Sequence, residues 1–216
     1  MRGEVWRMVG RVQMDEDGGG EVGEGVEKRR GVMSRVGWEK LGSEGSEGVG
    51  RVGWGSAPGL KVVDDLDLVE RAAALGLTPY EAVVVASLIE EEALLEVDRP
   101  RISRVIHNRL ADGWRLGIDA STRYAVGKTA GEPLDEVDLG AVSLWNTRVI
   151  VGLPPTPIAA PGRASLEAAV APEAGAWMYY VRTDEGGIMG AHTFALDAAE
   201  FEVARRVCVQ KDLGCG

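Results

Sequence analysis

The sequence has few of the histidine and cysteine residues that bind metals and lacks the long apolar runs that mark membrane-spanning proteins. Among its 216 residues it has only two histidines, His107 and His192, and two cysteines, Cys208 and Cys215. Because these residues form no cluster along the chain, we expect no metal site of the usual kinds. No apolar run reaches the roughly 18 residues that a membrane-spanning helix needs, and the N-terminus has no apolar stretch typical of a signal peptide.

Positive charge is also scarce. The chain has 24 lysines and arginines against 34 acidic residues, a net charge of −10, and no basic stripe. Nucleic-acid binding is therefore not expected. Cys208 and Cys215 lie near the C-terminus, where they form either a short disulfide typical of exported proteins or two unpaired thiols in a mobile tail. Both interpretations stay open at this stage.

The composition changes abruptly near residue 60. Residues 1–60 hold 16 of the 30 glycines, contain a single alanine, and lack isoleucine, phenylalanine and tyrosine. No helical or strand periodicity persists there, which predicts disorder. An alternative is that this segment is not native coding sequence, since a mis-called start in a GC-rich genome would produce a similarly biased chain. We therefore expect two parts, a segment at 1–60 and a folded domain at 61–216.

From residue 61 onward the sequence has the patterning of a folded domain. Hydrophobic residues make up 45% of the whole chain, enough for a substantial core. Helices are expected over residues 64–75, 78–97, 101–112, 119–126, 135–139, 165–170 and 196–209. Strands are expected over residues 177–182 and 192–194, joined by a glycine-rich turn. The expected fold class is α+β, with helices packed on a small β-sheet.

The second of these helices has the clearest start signal. Thr78 suits the N-cap, Pro79 the first helical position and Glu81 the third, which together make a capping box. From Val83 to Ile89 every position is apolar except Ser87. A helix that is hydrophobic all round is buried, so this one is expected to run through the core.

Three acidic residues, Glu90, Glu91 and Glu92, follow directly after the apolar run. A carboxyl group at Glu90 would be poorly solvated, which raises its pKa towards the range that a general acid needs near neutral pH. Glu90 and Glu92 are two residues apart and point to different sides of the helix, so they cannot flank one bond as an acid and a nucleophile. The simpler alternative, favoured by the helix alone, is that the helix emerges into solvent here.

Three further stretches bear on that choice. Asn108 and Arg109 end a helix, where the arginine is expected either to pair with a buried glutamate or to meet the helix dipole. Asn146 and Thr147 follow a tryptophan, a combination common in saccharide sites but weak evidence alone. The turn at residues 152–158 reads Gly-Leu-Pro-Pro-Thr-Pro-Ile. Its prolines fix the backbone direction, either for a site loop or for an ordinary rigid connection.

Six motifs, taken together, carry a family resemblance. In order along the chain they lie at residues 77–81, 86–92, 108–110, 146–147, 152–158 and 192–194. Their order and spacing resemble the catalytic domain of the endolytic murein transglycosylase family, also called MltG or YceG-like. The resemblance extends over residues 64–206 and implies a YceG-like α+β domain with a glycan-binding cleft.

The resemblance also implies roles for individual residues. Glu90 matches the family's catalytic glutamate, and Glu92 matches a second, supporting acid. The positions that match the glycan cleft are Asn108, Arg109, Asp119, Asn146, Thr147, Leu153, Pro154 and His192. The chain departs from the family pattern at Gly117, at Thr156 and in the segment around His192.

The activity implied by the resemblance is that of a lytic transglycosylase. Such an enzyme cleaves the bond between N-acetylmuramic acid and N-acetylglucosamine in nascent peptidoglycan and leaves a 1,6-anhydro end, with no metal or organic cofactor. The resemblance also implies work at the extracytoplasmic face of the cell membrane, beside peptidoglycan synthases, although no signal or membrane-spanning segment is visible. Two alternatives stay open: a non-catalytic cell-wall-binding or division-scaffold protein, and a fragment that does not reach its substrate.

Overall fold

Two units make up the chain in this computed structural model, which describes residues 6–9, 37–40, 62–184 and 188–214. The units are Met1–Gly50 and Arg51–Gly216. In the first, strand β1 (Trp6–Val9) pairs antiparallel with β2 (Gly37–Lys40). These strands are the described part of the segment at 1–60, whose predicted disorder stays a prediction. The rest of residues 1–60 and the predicted boundary after residue 60 lie outside the described residues.

The second unit combines helices with a small sheet. The helices are α1 (Leu68–Ala74), α2 (Pro79–Glu92), α3 (Arg99–Ala111), α4 (Asp119–Val126), α5 (Glu136–Leu139), α6 (Arg163–Val170) and α7 (Ala198–Gln210). The sheet pairs β3 (Tyr179–Thr183) antiparallel with β4 (Ala191–Ala195). In this register Tyr180 lies opposite Phe194, and Arg182 lies opposite His192. The α+β class predicted from the sequence is confirmed.

Helix α2 forms the centre of the core, as its sequence predicts. Its capping box is present: the Thr78 hydroxyl accepts from the Glu81 backbone nitrogen at 3.2 Å, and the Glu81 carboxylate accepts from the Thr78 nitrogen at 2.7 Å. Every residue from Ala82 to Ile89 is buried. The helix packs against α1, α3 and α6. Since full burial of one large aliphatic side chain contributes about 1.5–3 kcal/mol, this helix supplies much of the core's stability.

Helix α2 ends at Glu92 and not at Val97, where the sequence predicted its end. Ala93 already has an extended backbone, with φ −90° and ψ 109°. A short 3-10 helix at Glu96–Asp98 then brings Asp98 to β4, where its Oδ2 accepts from the backbone nitrogen of His192 at 2.9 Å. This tertiary contact turns the chain away from the helix, although residues 93–97 favour helix by local propensity.

The other predicted helices and strands begin and end within a few residues of their expected positions. In α7, Cys208 is buried and disulfide-bonded, whereas Cys215 lies outside the described residues. Within the described part of the chain, no single helix is both long and apolar enough to cross a bilayer. Helices α1 and α2 meet that criterion only jointly, across a bend of 90°.

Candidate active site at the end of helix α2

Glu90 binds the start of helix α6. Its Oε2 accepts hydrogen bonds from Ser165 Oγ at 2.6 Å and from the Gly162 backbone nitrogen at 3.1 Å, and it lies 3.5 Å from Arg99 Nη1. Burial alone would raise the pKa of Glu90, but the two hydrogen bonds and the arginine charge together hold that pKa below its ordinary value of 4.5. The predicted rise in the pKa of Glu90 is therefore wrong, and this group is a carboxylate at neutral pH.

Glu92, in contrast, is the acid whose pKa is raised. Its Oε2 accepts from the Tyr180 hydroxyl at 3.1 Å, and its Oε1 accepts from the Ala120 backbone nitrogen at 3.4 Å. Burial and the negative charge of Asp119 raise the pKa of Glu92, outweighing those two hydrogen bonds and the nearby His192. The rise in pKa that the sequence predicts for Glu90 is therefore found at Glu92.

An open cavity of about 430 Å³ lies beside the end of α2. Its walls come from residues 90–94 at the end of α2, from 182–183 and 189–190 in the β3–β4 hairpin, and from 212–213 after α7. The volume falls in the range typical of small-molecule sites. Glu92 belongs to this wall, and as a whole residue it is partly buried.

Asp119 lies close enough to Glu92 to raise its pKa, and it is paired with Arg148. Arg148 Nε donates to Asp119 Oδ1 at 2.9 Å, and Nη2 of the same arginine contacts the same oxygen. Asp119 is also the first residue of α4, where a negative charge suits the helix dipole. Across the described ranges, no group of three histidine, cysteine or acidic residues is arranged to hold a metal ion.

His192, another predicted site residue, is buried and paired with Asp98. The histidine Nδ1 lies 3.0 Å from Asp98 Oδ2, and the two side chains are only 3% and 5% exposed. The histidine ring meets the Tyr180 ring edge-on, with centroids 5.5 Å apart and planes at 82°. His192 is thus connected to Glu92 through Tyr180.

Asn108 and Arg109 fasten helix α3 to the segment that enters β3. Asn108 Nδ2 donates to the Trp177 carbonyl at 2.9 Å. Arg109 Nε donates to the Met178 carbonyl at 2.7 Å, and its Nη1 donates to the Leu116 carbonyl at 2.5 Å. The arginine therefore satisfies backbone carbonyls and not a buried glutamate, the partner considered from the sequence. Both side chains serve to position β3.

Asn146 and Thr147 are fully buried and bonded to protein groups. The Asn146 Oδ1 accepts from Thr122 Oγ1 at 2.9 Å, and its Nδ2 donates to the Ala141 carbonyl at 2.8 Å. The Thr147 Oγ1 accepts from the Ile118 backbone nitrogen at 2.9 Å. Buried polar groups need such partners. The structure thus gives these two residues, predicted from the resemblance to line the glycan cleft, the role of holding their loop against α4.

The proline turn at residues 152–158 docks on helix α2. The Ile158 backbone nitrogen donates to Ser87 Oγ at 3.1 Å, which explains why α2 carries one polar side chain in its buried stretch. Pro154 is buried, and Leu153 is partly buried against the core. These two predicted site residues therefore anchor the turn on the helix that carries both glutamates.

Five residues of the site escaped the sequence analysis: Asp98, Arg99, Arg148, Ser165 and Tyr180. Tyr180 is 88 positions from Glu92 along the chain, and Ser165 is 75 positions from Glu90, so no local pattern links these pairs. One signal in the sequence could have pointed to Tyr180: the strand predicted at residues 177–182, whose side chains alternate between faces and so place Tyr180 and Arg182 on the same face.

The arrangement has counterparts among known proteins. The YceG-like family model matches residues 60–207, a range that contains both glutamates and every residue predicted for the site. The endolytic murein transglycosylase of Bacillus subtilis (strain 168) is 37% identical over 114 residues, which are 53% of this chain and 31% of that protein. A crystal structure of a YceG-like protein from Listeria monocytogenes matches with a TM-score of 0.59 at 30% identity, over 65% of this chain and 45% of that one.

These relatives are longer than the present chain, which spans less than half the length of either of them. The family model nevertheless covers more than half of this chain, and the fold agrees with the solved relative. The chain therefore belongs to the YceG-like family.

Proposed function

We propose that this chain is a lytic transglycosylase domain that cleaves peptidoglycan strands internally, with Glu92 as its acid. The observation that carries the proposal is the setting of Glu92, a residue in the cavity wall whose carboxyl group contacts Tyr180 and whose pKa is raised by burial and by Asp119. A raised pKa favours the protonated form, from which a general acid delivers its proton to a leaving oxygen. The name of the Bacillus subtilis relative, endolytic murein transglycosylase, supports the class of substrate.

The proposed reaction needs one group that acts first as acid and then as base. Glu92 donates its proton to the oxygen linking N-acetylmuramic acid to N-acetylglucosamine, and the bond from C1 to that oxygen breaks as positive charge develops on the muramic ring. The resulting carboxylate removes the proton from the muramic C6 hydroxyl, whose oxygen bonds to C1. The product carries a 1,6-anhydro end, no water is consumed, and Glu92 regains its proton.

Glu90, the acid that the family resemblance put forward, is less suited to the first step. Its Oε2 already accepts from Ser165 and Gly162, and these bonds keep the group ionised at the pH where an acid must hold its proton. In this proposal Glu90 holds α6 against α2, and Glu92 carries out the chemistry.

Asp119 also contributes to the proposed mechanism, through its charge. Its negative charge keeps Glu92 protonated before the reaction, because two neighbouring carboxylates resist ionising together. Arg148 forms an ion pair with Asp119. Activity should therefore be full at pH values below the raised pKa of Glu92 and should fall as the pH rises through it.

The proposal is tested by incubating purified glycan strands with the wild-type protein and with three variants, Glu90→Gln, Glu91→Gln and Glu92→Gln. Mass spectrometry should detect 1,6-anhydro ends with the wild type. Loss of a general acid lowers the rate by about 100- to 10,000-fold, so Glu92→Gln should be nearly inactive. Glu91 is exposed in the same cavity wall, so Glu91→Gln controls for the loss of one negative charge there.

Each other result has a definite meaning. Products with hydrated reducing ends alone would favour a hydrolase over a transglycosylase. If Glu90→Gln is inactive and Glu92→Gln is active, Glu90 and not Glu92 is the general acid. Glycan binding with no cleavage by the wild-type protein would favour the non-catalytic cell-wall-binding alternative.

A further inference from the structure

We propose that Tyr180 is a positioning residue for Glu92, holding its carboxyl group through the phenol hydroxyl. The inference rests on the proposed role of Glu92 as the acid. The hydroxyl donates to Glu92 Oε2 at 3.1 Å and comes from β3, an element far from α2 in the sequence. Tyr180 contacts the proposed acid directly, so its proposed effect is exerted through Glu92.

Glu92 needs such a support because it is the last residue of its helix. The backbone becomes extended at Ala93, so no following helical turn packs against the Glu92 side chain. Its orientation then depends on tertiary contacts, which are the Tyr180 hydroxyl on one oxygen and the Ala120 backbone nitrogen on the other. The contact at 3.1 Å is the shorter of the two. A catalytic acid must be held in this way to reach its substrate in a productive geometry.

Tyr180 is itself held in place by a buried pair. Asp98 Oδ2 accepts from the His192 backbone nitrogen at 2.9 Å and lies 3.0 Å from its ring Nδ1, which fixes the histidine ring. That ring meets the tyrosine ring edge-on, while the Phe194 ring lies against it with centroids 6.1 Å apart. The contacts from Asp98 to Glu92 therefore run from a buried pair, Asp98 and His192, to the partly buried Tyr180.

The charges around Glu92 determine what the phenol does to it. Asp119 of α4, paired with Arg148, is the negative group that faces Glu92, and His192 of β4 favours its ionised form. A phenol that donates to the carboxylate also favours the ionised form and so lowers the pKa, against burial and Asp119. Tyr180 thus keeps Glu92 able to act as a base in the second step as well as an acid in the first.

The test compares Tyr180→Phe with the matched control Tyr179→Phe. Phenylalanine keeps the ring packing and removes only the hydroxyl. Tyr179 is the adjacent tyrosine of the same strand, points to the opposite face, and stacks on Phe201 with centroids 5.1 Å apart. Both variants are first checked for a wild-type circular dichroism spectrum and melting temperature.

The first measurement needs no activity. Protein labelled with ¹³C at the glutamate carboxyls is titrated by NMR, and the Glu92 signal is identified by its loss in Glu92→Gln. The titration midpoint of Glu92 should move to higher pH in Tyr180→Phe and stay unchanged in Tyr179→Phe. An unchanged or lower midpoint in Tyr180→Phe overturns the proposal, whatever the rates are.

The second measurement is the rate of glycan cleavage against pH. Tyr180→Phe should lose about tenfold in kcat at neutral pH, the effect of one hydrogen bond, with a smaller loss as the pH rises. A merely structural defect would lower the rate by the same factor at every pH, which would contradict the proposal. A wild-type protein that cleaves no glycan would refute the proposed function, while a shifted midpoint would still support the contact's effect on Glu92.

Discussion

Replacing Glu90 by glutamine should weaken the contact between the end of α2 and the start of α6, and so destabilise the fold, while glycan cleavage stays largely intact. The Glu90 carboxylate accepts from Ser165 Oγ at 2.6 Å and from the Gly162 nitrogen at 3.1 Å. A hydrogen bond to a charged group contributes about 1.5–3 kcal/mol. Two facts reduce this contribution: the Glu90 side chain is 31% exposed, and the glutamine that replaces it keeps one acceptor oxygen. We therefore expect Glu90→Gln to lower the free energy of unfolding by about 1–2 kcal/mol.

The measurement is urea unfolding of the wild type and Glu90→Gln, with Glu91→Gln as control, at pH values from 7 to 3. The folded protein holds the pKa of Glu90 below its ordinary value of 4.5. Its carboxylate therefore contributes stability that is complete above that value and is lost as the pH falls through the lowered pKa. The difference between wild type and variant should shrink accordingly on acidification. A difference that stays constant with pH, or is absent at pH 7, would refute the reasoning.

Two further substitutions test the core and the buried pair behind the site. Leu88→Ala, in a fully buried position of α2, should lower the free energy of unfolding by about 2–5 kcal/mol, with a lower urea midpoint and an unchanged slope. His192→Ala leaves the buried Asp98 without its ring partner and should cost about 3–5 kcal/mol, measured in the same way; a loss below about 1 kcal/mol would contradict the pairing described here.

The sequence predicts most of the elements of this fold because the information for them is local. The capping box at Thr78 and the apolar run that follows identify α2 and its burial correctly. The end of α2 was wrong because it is decided by the contact of Asp98 with His192, which joins residues 94 positions apart. Local propensity contains nothing about that contact.

The sequence indicates which segments form the candidate site, but it does not indicate the hydrogen-bond partners or the pKa shifts of their side chains. The motifs identify the segments that meet near α2, but what each side chain bonds to is decided by distant partners. Asn146 and Thr147 look like sugar-binding residues in the sequence, yet both are fully buried against α4. Arg109 looks like a partner for a glutamate, yet it donates to backbone carbonyls.

The two glutamates illustrate how the fold separates groups that the sequence leaves equivalent. Two residues correspond to about 200° around a helix, so Glu90 and Glu92 leave α2 in nearly opposite directions. One direction leads to the start of α6, where a hydroxyl, a backbone nitrogen and an arginine favour a carboxylate. The other leads to Asp119 and Tyr180, where burial and a like charge favour the protonated acid. Environments that push two pKa values apart in this way distinguish a structural carboxylate from a catalytic acid, which is why the roles should divide between Glu90 and Glu92 as proposed.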